Sequence, residues 1–377
     1  MLRQYEGELG IFEYDDVECK VECSLKGEDR LLWLGTSKSV TVTGILRSTR
    51  RMFADAILPE GFKLYLHARG IRDMTAMFIN AQIPDSFIFS YEADRDLELT
   101  NMFHLAKIGD NFVMHVNGDV SILADLCFYS ATFTGDFKCK FPWERCTSLH
   151  SFFKNAQFSQ PVELYLKVPV KADVSEMFAG CAIPDDSYIT VQGGVNAKAY
   201  SMFADANVGV NSVINLRDLK AGDFNSAFCN CVLQSNVKLL LNTESTEVCT
   251  TMFTKAVFPE NFALLLEVPY GASVLGALFD TQVPANSNVQ MKLANAACLP
   301  SEKATLLQEW IQKLAESKYA DLTSAIAVYV TGHPEKLEEC LRIDFDNVPA
   351  DTLKKFISAT EQILGEATDS LHGLNLF

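Results

Sequence analysis

From Met52 to about Pro300 the apolar positions of this chain recur every 25 residues without a break in count. Starting at Phe53, equal steps land on Phe78, Phe103, Phe128, Phe153, Phe178, Phe203, Phe228, Phe253 and Leu278. A period of this length marks a solenoid, in which each unit buries its apolar face only by stacking on its neighbours. Within the unit a small residue follows three positions after the phenylalanine (Ala56, Ala81, Ala106, Cys181, Cys231), where only a small group fits between close backbones. A large apolar residue stands two further on (Leu58, Ile83, Ile108, Phe133, Val208). A turn signal comes next, with proline at 59, 84, 184, 259 and 284 and glycine at 109 and 209.

Alternating segments such as Phe62-Lys63-Leu64-Tyr65-Leu66 and Val162-Glu163-Leu164-Tyr165-Leu166 predict one strand per unit with its apolar set facing the core. Just before each phenylalanine, apolar residues spaced three and four, as in Met74, Met77 and Phe78, predict one or two helical turns. The expected fold is therefore an α/β solenoid, leucine-rich-repeat-like, of about ten 25-residue coils with a parallel sheet backed by short helices. At a strand spacing of about 4.8 Å, such an array spans roughly 50 Å. At the last unit Phe279 is the better match by residue type, yet counting from Leu278 sets Val283, Pro284, Val289 and Met291 in register.

The flanks depart from the period. Residues 1–47 alternate with period two, as in Val17 to Cys23 and Ser39 to Thr43, and predict an N-terminal β cap over the open end of the array. Residues 48–297 form the repeat solenoid. Residues 298–377 predict a C-terminal helical domain or cap, beginning at Ser301 with an apolar stripe through Leu306, Leu307, Trp310, Ile311 and Leu314. Further helices are expected near 320–330, 335–341 and 350–364.

Composition narrows the class more than it identifies it. Apolar residues make up 48% and charged residues 21%, the balance of an ordinary folded protein. The 48 acids and 32 bases give a formal charge of −16, which argues against direct nucleic-acid binding and favours basic partners. No run of about 18 apolar residues and no basic-then-apolar leader is present, so the expected location is cytoplasmic, with no membrane association. Most of the eleven cysteines that can be placed fall on core positions, as Cys127, Cys139, Cys181 and Cys231 do, and read as free thiols packed as small hydrophobes. The pairs Cys19/Cys23 and Cys229/Cys231 have no second spaced pair with histidine, so neither a metal nor a cofactor is expected.

The Met-Phe-x-x-Ala core at a fixed 25-residue step, with an apolar residue shortly before it as in Ile71 to Phe78, resembles the BspA-like leucine-rich-repeat proteins over residues 48–297. The Phe-Asn and Trp-Asp features usual in that family are replaced here by Pro-Glu or Pro-Asp and Phe-x-Leu-x-Leu. The resemblance implies a non-catalytic binding scaffold.

Two sets of residues stand out as candidates. The outward residues of successive strands form ladders that supply the default binding surface of a solenoid, and Tyr65, His115, Lys138, Lys140, Tyr165, Lys167 and Tyr188 are the residues there suited to a protein epitope. The acids after the turn, Glu60, Asp85 and Asp110, occupy one coil position in consecutive units and read either as turn chemistry or as an acidic strip. Ser90, Glu92 and His115 have the residue types of a hydrolase triad, but Glu92 lies on the serine's strand rather than behind the histidine, and no Gly-x-Ser-x-Gly elbow is present. The chain is therefore expected not to be an enzyme. Two functions remain: an intracellular protein-binding solenoid that inhibits or redirects a larger complex by occlusion, or an acidic nucleic-acid mimic acting on a DNA- or RNA-binding protein.

Overall fold

The computed structural model describes residues 2–7, 10–15, 20–27 and 38–241, most of 243–269 and 277–294, and beyond these Gln312. It is a parallel β-solenoid whose nine phenylalanines from Phe53 to Phe253 are all buried. Each coil contributes to three parallel ladders. One holds the long strands, among them Ile88–Glu92, Phe112–Asn117 and Phe137–Lys140, paired in sequence order. A second holds short strands such as Leu97–Glu98, Ile122–Leu123 and Cys146–Ser148. The third is a continuous seven-stranded ladder running from Gln82–Ile83 to Val232–Leu233.

The short helices expected before each phenylalanine are absent: residues 73–78 and their equivalents are stacked turns. The reason lies in where the backbone N–H groups go. At Phe53, Asp55 and Arg51 they bond the carbonyls of Met77, Ile79 and Thr75 in the next coil, at 2.8, 2.8 and 3.2 Å. The intervening N–H groups of Met52, Ala54 and Ala56 close turns onto the carbonyls three residues back. An α-helix needs these same donors for bonds four residues back. Two residues per coil also sit in the left-handed region, as Arg51 and Asp55 do at φ +57° and +58°, which a right-handed helix forbids. The 3–4 spacing of Met74, Met77 and Phe78 survives because all three point inward and are fully buried. Among the described residues, helical conformation is confined to the 3-10 turn Trp143–Arg145 and Gln312.

The core is built on the phenylalanine column. Phe53 and Phe78 stack with ring centroids 5.1 Å apart and planes 6° apart, and the stacking continues to the pair Phe228 and Phe253 at 5.2 Å. A second column of Phe62, Phe87, Phe112 and Phe137 meets the first edge-on, for example Phe103 against Phe112 at 5.4 Å. Beside the first column the small residues fit as expected: Ala131 and Ala156 are fully buried, and the Cys181 thiol donates to the Phe153 carbonyl. Leu278 takes the phenylalanine position, since the Phe253 N–H bonds the Ala277 carbonyl as in every earlier coil and the Thr281 hydroxyl donates to the Phe253 carbonyl.

At the N-terminal end the strands Leu2–Gly7, Gly10–Asp15 and Lys20–Gly27 pair antiparallel, and Lys20–Gly27 then pairs in parallel with Ser39–Leu46. Ser39–Leu46 in turn pairs in parallel with Lys63–Leu66, the strand of the first phenylalanine coil. The helices expected over 298–377 lie outside the described residues, apart from Gln312. No helix among the described residues is long and apolar enough to cross a membrane.

Phe153 is fully buried and stacks on Phe128 and Phe178, each at 5.5 Å. Phe153→Ala is expected to lower unfolding free energy by about 3 to 5 kcal/mol in urea titration. An unchanged midpoint would show that the column does not hold the coils together.

Candidate functional site

The long-strand face presents the residues singled out in the sequence in one outward surface. Strand pleating sends alternate side chains inward, so Leu164 and Leu166 are buried while Glu163, Tyr165 and Lys167 are exposed. Pairing sets His115 beside Ser90 and Lys140, and Val113 beside Lys138. Further along, Tyr165 pairs with Thr190, Glu163 with Tyr188, and Lys167 with Gln192. The Tyr165 and Tyr188 rings lie 5.5 Å apart at 38°, and Tyr165 is 59% exposed. The Thr190 hydroxyl beside them is buried without a hydrogen-bond partner. Tyr65 sits nearer the N-terminal end, pairing with Thr41 and stacking on His67 at 6.3 Å. The seven residues thus share a face but not one patch: Lys138, Lys140, Tyr165, Lys167 and Tyr188 cluster on three successive coils, with His115 one coil before them and Tyr65 two coils further back.

The sheet beneath that cluster is interrupted. Phe137–Lys140 pairs with Phe112–Asn117 on one side, while Glu163–Val168 pairs with Tyr188–Lys198 on the other. No backbone hydrogen bond joins Phe137–Lys140 to Glu163–Val168 among the described residues. The coil before the break is irregular: Pro142 leads into the 3-10 turn, and Trp143 tucks into the core against Phe152 at 5.6 Å. Two further breaks separate Lys63–Leu66 from Ile88–Glu92 and Lys238–Leu241 from Ala263–Pro269, and at the latter a cleft of about 560 Å³ lies between Leu239 and Phe262.

Asp85 and Asp110, two of the three acids after the turn, are engaged in holding coils together. The Asp85 carboxylate accepts the Asp110 N–H at 2.8 Å, and the Asp110 carboxylate accepts the N–H groups of Asn111 and Asp136 at 2.8 and 2.7 Å. Asp185 accepts the Val210 N–H in the same way at 2.7 Å. Each of these carboxylates needs room under the next coil, and glycine supplies it. A Cβ on Gly109, Gly135 or Gly209 would collide with Asp85, Asp110 or Asp185 respectively. The recurrence of glycine 24 or 25 residues after an aspartate is thus a signal for this clasp that the sequence carries openly. Glu60 and Asp85 also line a groove of about 420 Å³ with Ile57 and Lys107.

One polar cluster was not singled out from the sequence. On the turn ladder the Glu176 carboxylate accepts bonds from Lys154 Nζ at 2.7 Å and Ser151 Oγ at 3.0 Å, with His150 Nε2 at 3.7 Å. Partial burial by itself raises the Glu176 pKa, but Lys154, Ser151 and His150 outweigh it and hold the carboxyl below its ordinary value. Ser151 is 1% exposed, so the arrangement ties coils together and offers no open nucleophile. Ser90 and His115 are register partners, and Glu92 pairs with Asn117 instead. Burial pushes the thiols of Cys127, Cys139, Cys146, Cys181, Cys231 and Cys249 up, leaving them poor nucleophiles. No group of three or more histidine, cysteine or acidic side chains poised to hold a metal occurs among the described residues.

Compared with protein-family models, curated proteins and solved structures, the chain matches none.

Two outcomes follow from the acids. Asp110→Ala is expected to cost about 1 kcal/mol through loss of its hydrogen bonds to the Asn111 and Asp136 N–H groups, whereas Glu60→Ala stays within about 0.5 kcal/mol in thermal unfolding. Equal losses would remove the clasp. Glu176 has a depressed folded pKa, so its contribution is fully present above the unfolded carboxylate value and is lost as pH falls through the folded one. Glu176→Gln is expected to be about 1 kcal/mol less stable than the parent at pH 7, with the gap narrowing as pH falls below the unfolded carboxylate value and closing once the folded carboxyl is protonated.

Proposed function

We propose that this chain is a non-catalytic protein-binding scaffold, cytoplasmic in setting, that acts by covering part of a larger complex and uses the long-strand face as its docking surface. One observation carries the proposal: an aromatic and cationic cluster, with Lys138, Lys140, Tyr165 and Lys167 exposed and Tyr188 half-buried, set on the outward face of two neighbouring parallel ladders. Tyrosines lose little conformational entropy on docking and are common anchors at interfaces. Their strands are fixed by the phenylalanine columns behind them. The resemblance to BspA-like repeat proteins points to the same kind of scaffold, and kinship with that family is part of this proposal.

The alternative, an acidic mimic of nucleic acid, needs a contiguous strip of free carboxylates. The bonds of Asp85, Asp110 and Asp185 to neighbouring backbones give those acids a structural occupation instead.

The test is affinity capture from lysate at low and high salt with three baits: the parent, Tyr165→Ala/Tyr188→Ala, and Glu60→Gln/Asp85→Asn. A protein retained by the parent and the acid variant but lost from the tyrosine variant supports the scaffold reading. A protein lost only from the acid variant, and released from the parent by salt, would favour the mimic.

A further inference from the structure

The whole chain is strongly acidic, but its long-strand face has the opposite sign. From Lys63 to Leu240 the outward positions of that face hold six lysines and arginines, Lys63, Lys138, Lys140, Lys167, Arg217 and Lys238, against two acids, Glu92 and Glu163. None of the six forms an ion pair among the described residues. The cations that are paired there, Arg51, Arg145 and Lys154, lie elsewhere on the coils. A net charge of −16 is thus a sum over surfaces that differ in sign, and the part of the molecule best suited to docking keeps its cations unneutralised.

We propose that the partner segment received by this face is an acidic peptide in extended conformation, seated over Lys138, Lys140 and Lys167 with Tyr165 and Tyr188 beside it. This rests on the scaffold reading above and adds the chemistry of the partner. Charge complementarity gives the sign. Spacing gives the conformation: Lys138 and Lys140 stand two residues apart on one strand, a repeat of about 6.6 Å, which is also the repeat of alternate carboxylates on an extended peptide. The tyrosine pair supplies apolar area next to the charges, with the unpartnered Thr190 hydroxyl at its base.

The probe is a fluorescein-labelled ten-residue polyglutamate peptide, followed by fluorescence anisotropy at 50 mM and 500 mM salt, with labelled ten-nucleotide oligothymidylate as a parallel arm. The expected result is binding of polyglutamate by the full chain at low salt, weakened steeply at high salt. Lys138→Glu/Lys140→Glu/Lys167→Glu is expected to weaken it at least about 10-fold, and Lys107→Glu, a change on another face, to leave it within about 2-fold. Circular dichroism checks that the triple variant is folded; if it is not, the triple Lys→Gln variant replaces it. Absence of polyglutamate binding, binding indifferent to the triple variant, or a preference for oligothymidylate would overturn the proposal. If polyglutamate fails while a captured protein still depends on Tyr165 and Tyr188, the acidic chemistry is wrong and the scaffold stands. If the captured protein is indifferent as well, both readings fall.

Discussion

Everything in this molecule depends on where its backbone N–H groups point. Along the turn ladder every second donor leaves its own coil for a carbonyl in the next, and the donors between close turns within the coil. A buried backbone donor without a partner is costly, so no coil is complete alone. The phenylalanine column follows from that constraint. Once neighbouring coils are hydrogen-bonded, equivalent side chains must repeat at nearly the backbone spacing, and flat rings stacked at about 5 Å fill that repeat.

The same constraint explains the polar rungs. Where Asn or Asp holds the left-handed position, its short side chain both tolerates the conformation and bonds its counterpart one coil away, as Asn80 does with Asp55 at 2.8 Å and Asn230 with Asp205 at 3.0 Å. Leu105 takes that conformation without such a side chain and stands 52% exposed. The clasp of Asp110 under Gly135 is a further version, with carboxylate in place of carbonyl as the acceptor. A row of like charges that looks unfavourable on a bare strip becomes tolerable when each carboxylate is met by N–H dipoles.

The period, the identity of the buried positions and the register of Leu278 were legible because strict counting needs only residue size and polarity. The turn ladder was not. Met74, Met77 and Phe78 have the spacing of a helix face, and nothing in a residue's type tells whether its N–H will bond four residues back or one coil on. Asp55 and Asn80 hint at positive φ, but Arg51 and Glu176 share that conformation and hide it. On the candidate site, counting by 25 placed His115 beside Lys140 and Tyr165 beside Thr190, as the pairing does. It missed the reversal of charge on that face, because a total of −16 says nothing about distribution. It also missed the sheet break, although Pro142 and Pro161 on either side of it are residues that cannot donate to a ladder.

The interlocking of coils also limits how such a chain can change. Adding or removing one residue within a coil would move every later phenylalanine off its column and every donor off its acceptor. Removing a whole coil of 25 would join surfaces that already match. Steps of one full coil are therefore the changes in length that keep every stack and bond at once, while the breaks in the long-strand ladder, with fewer bonds to keep in register, are where irregular chain such as the Pro142–Arg145 stretch is accommodated.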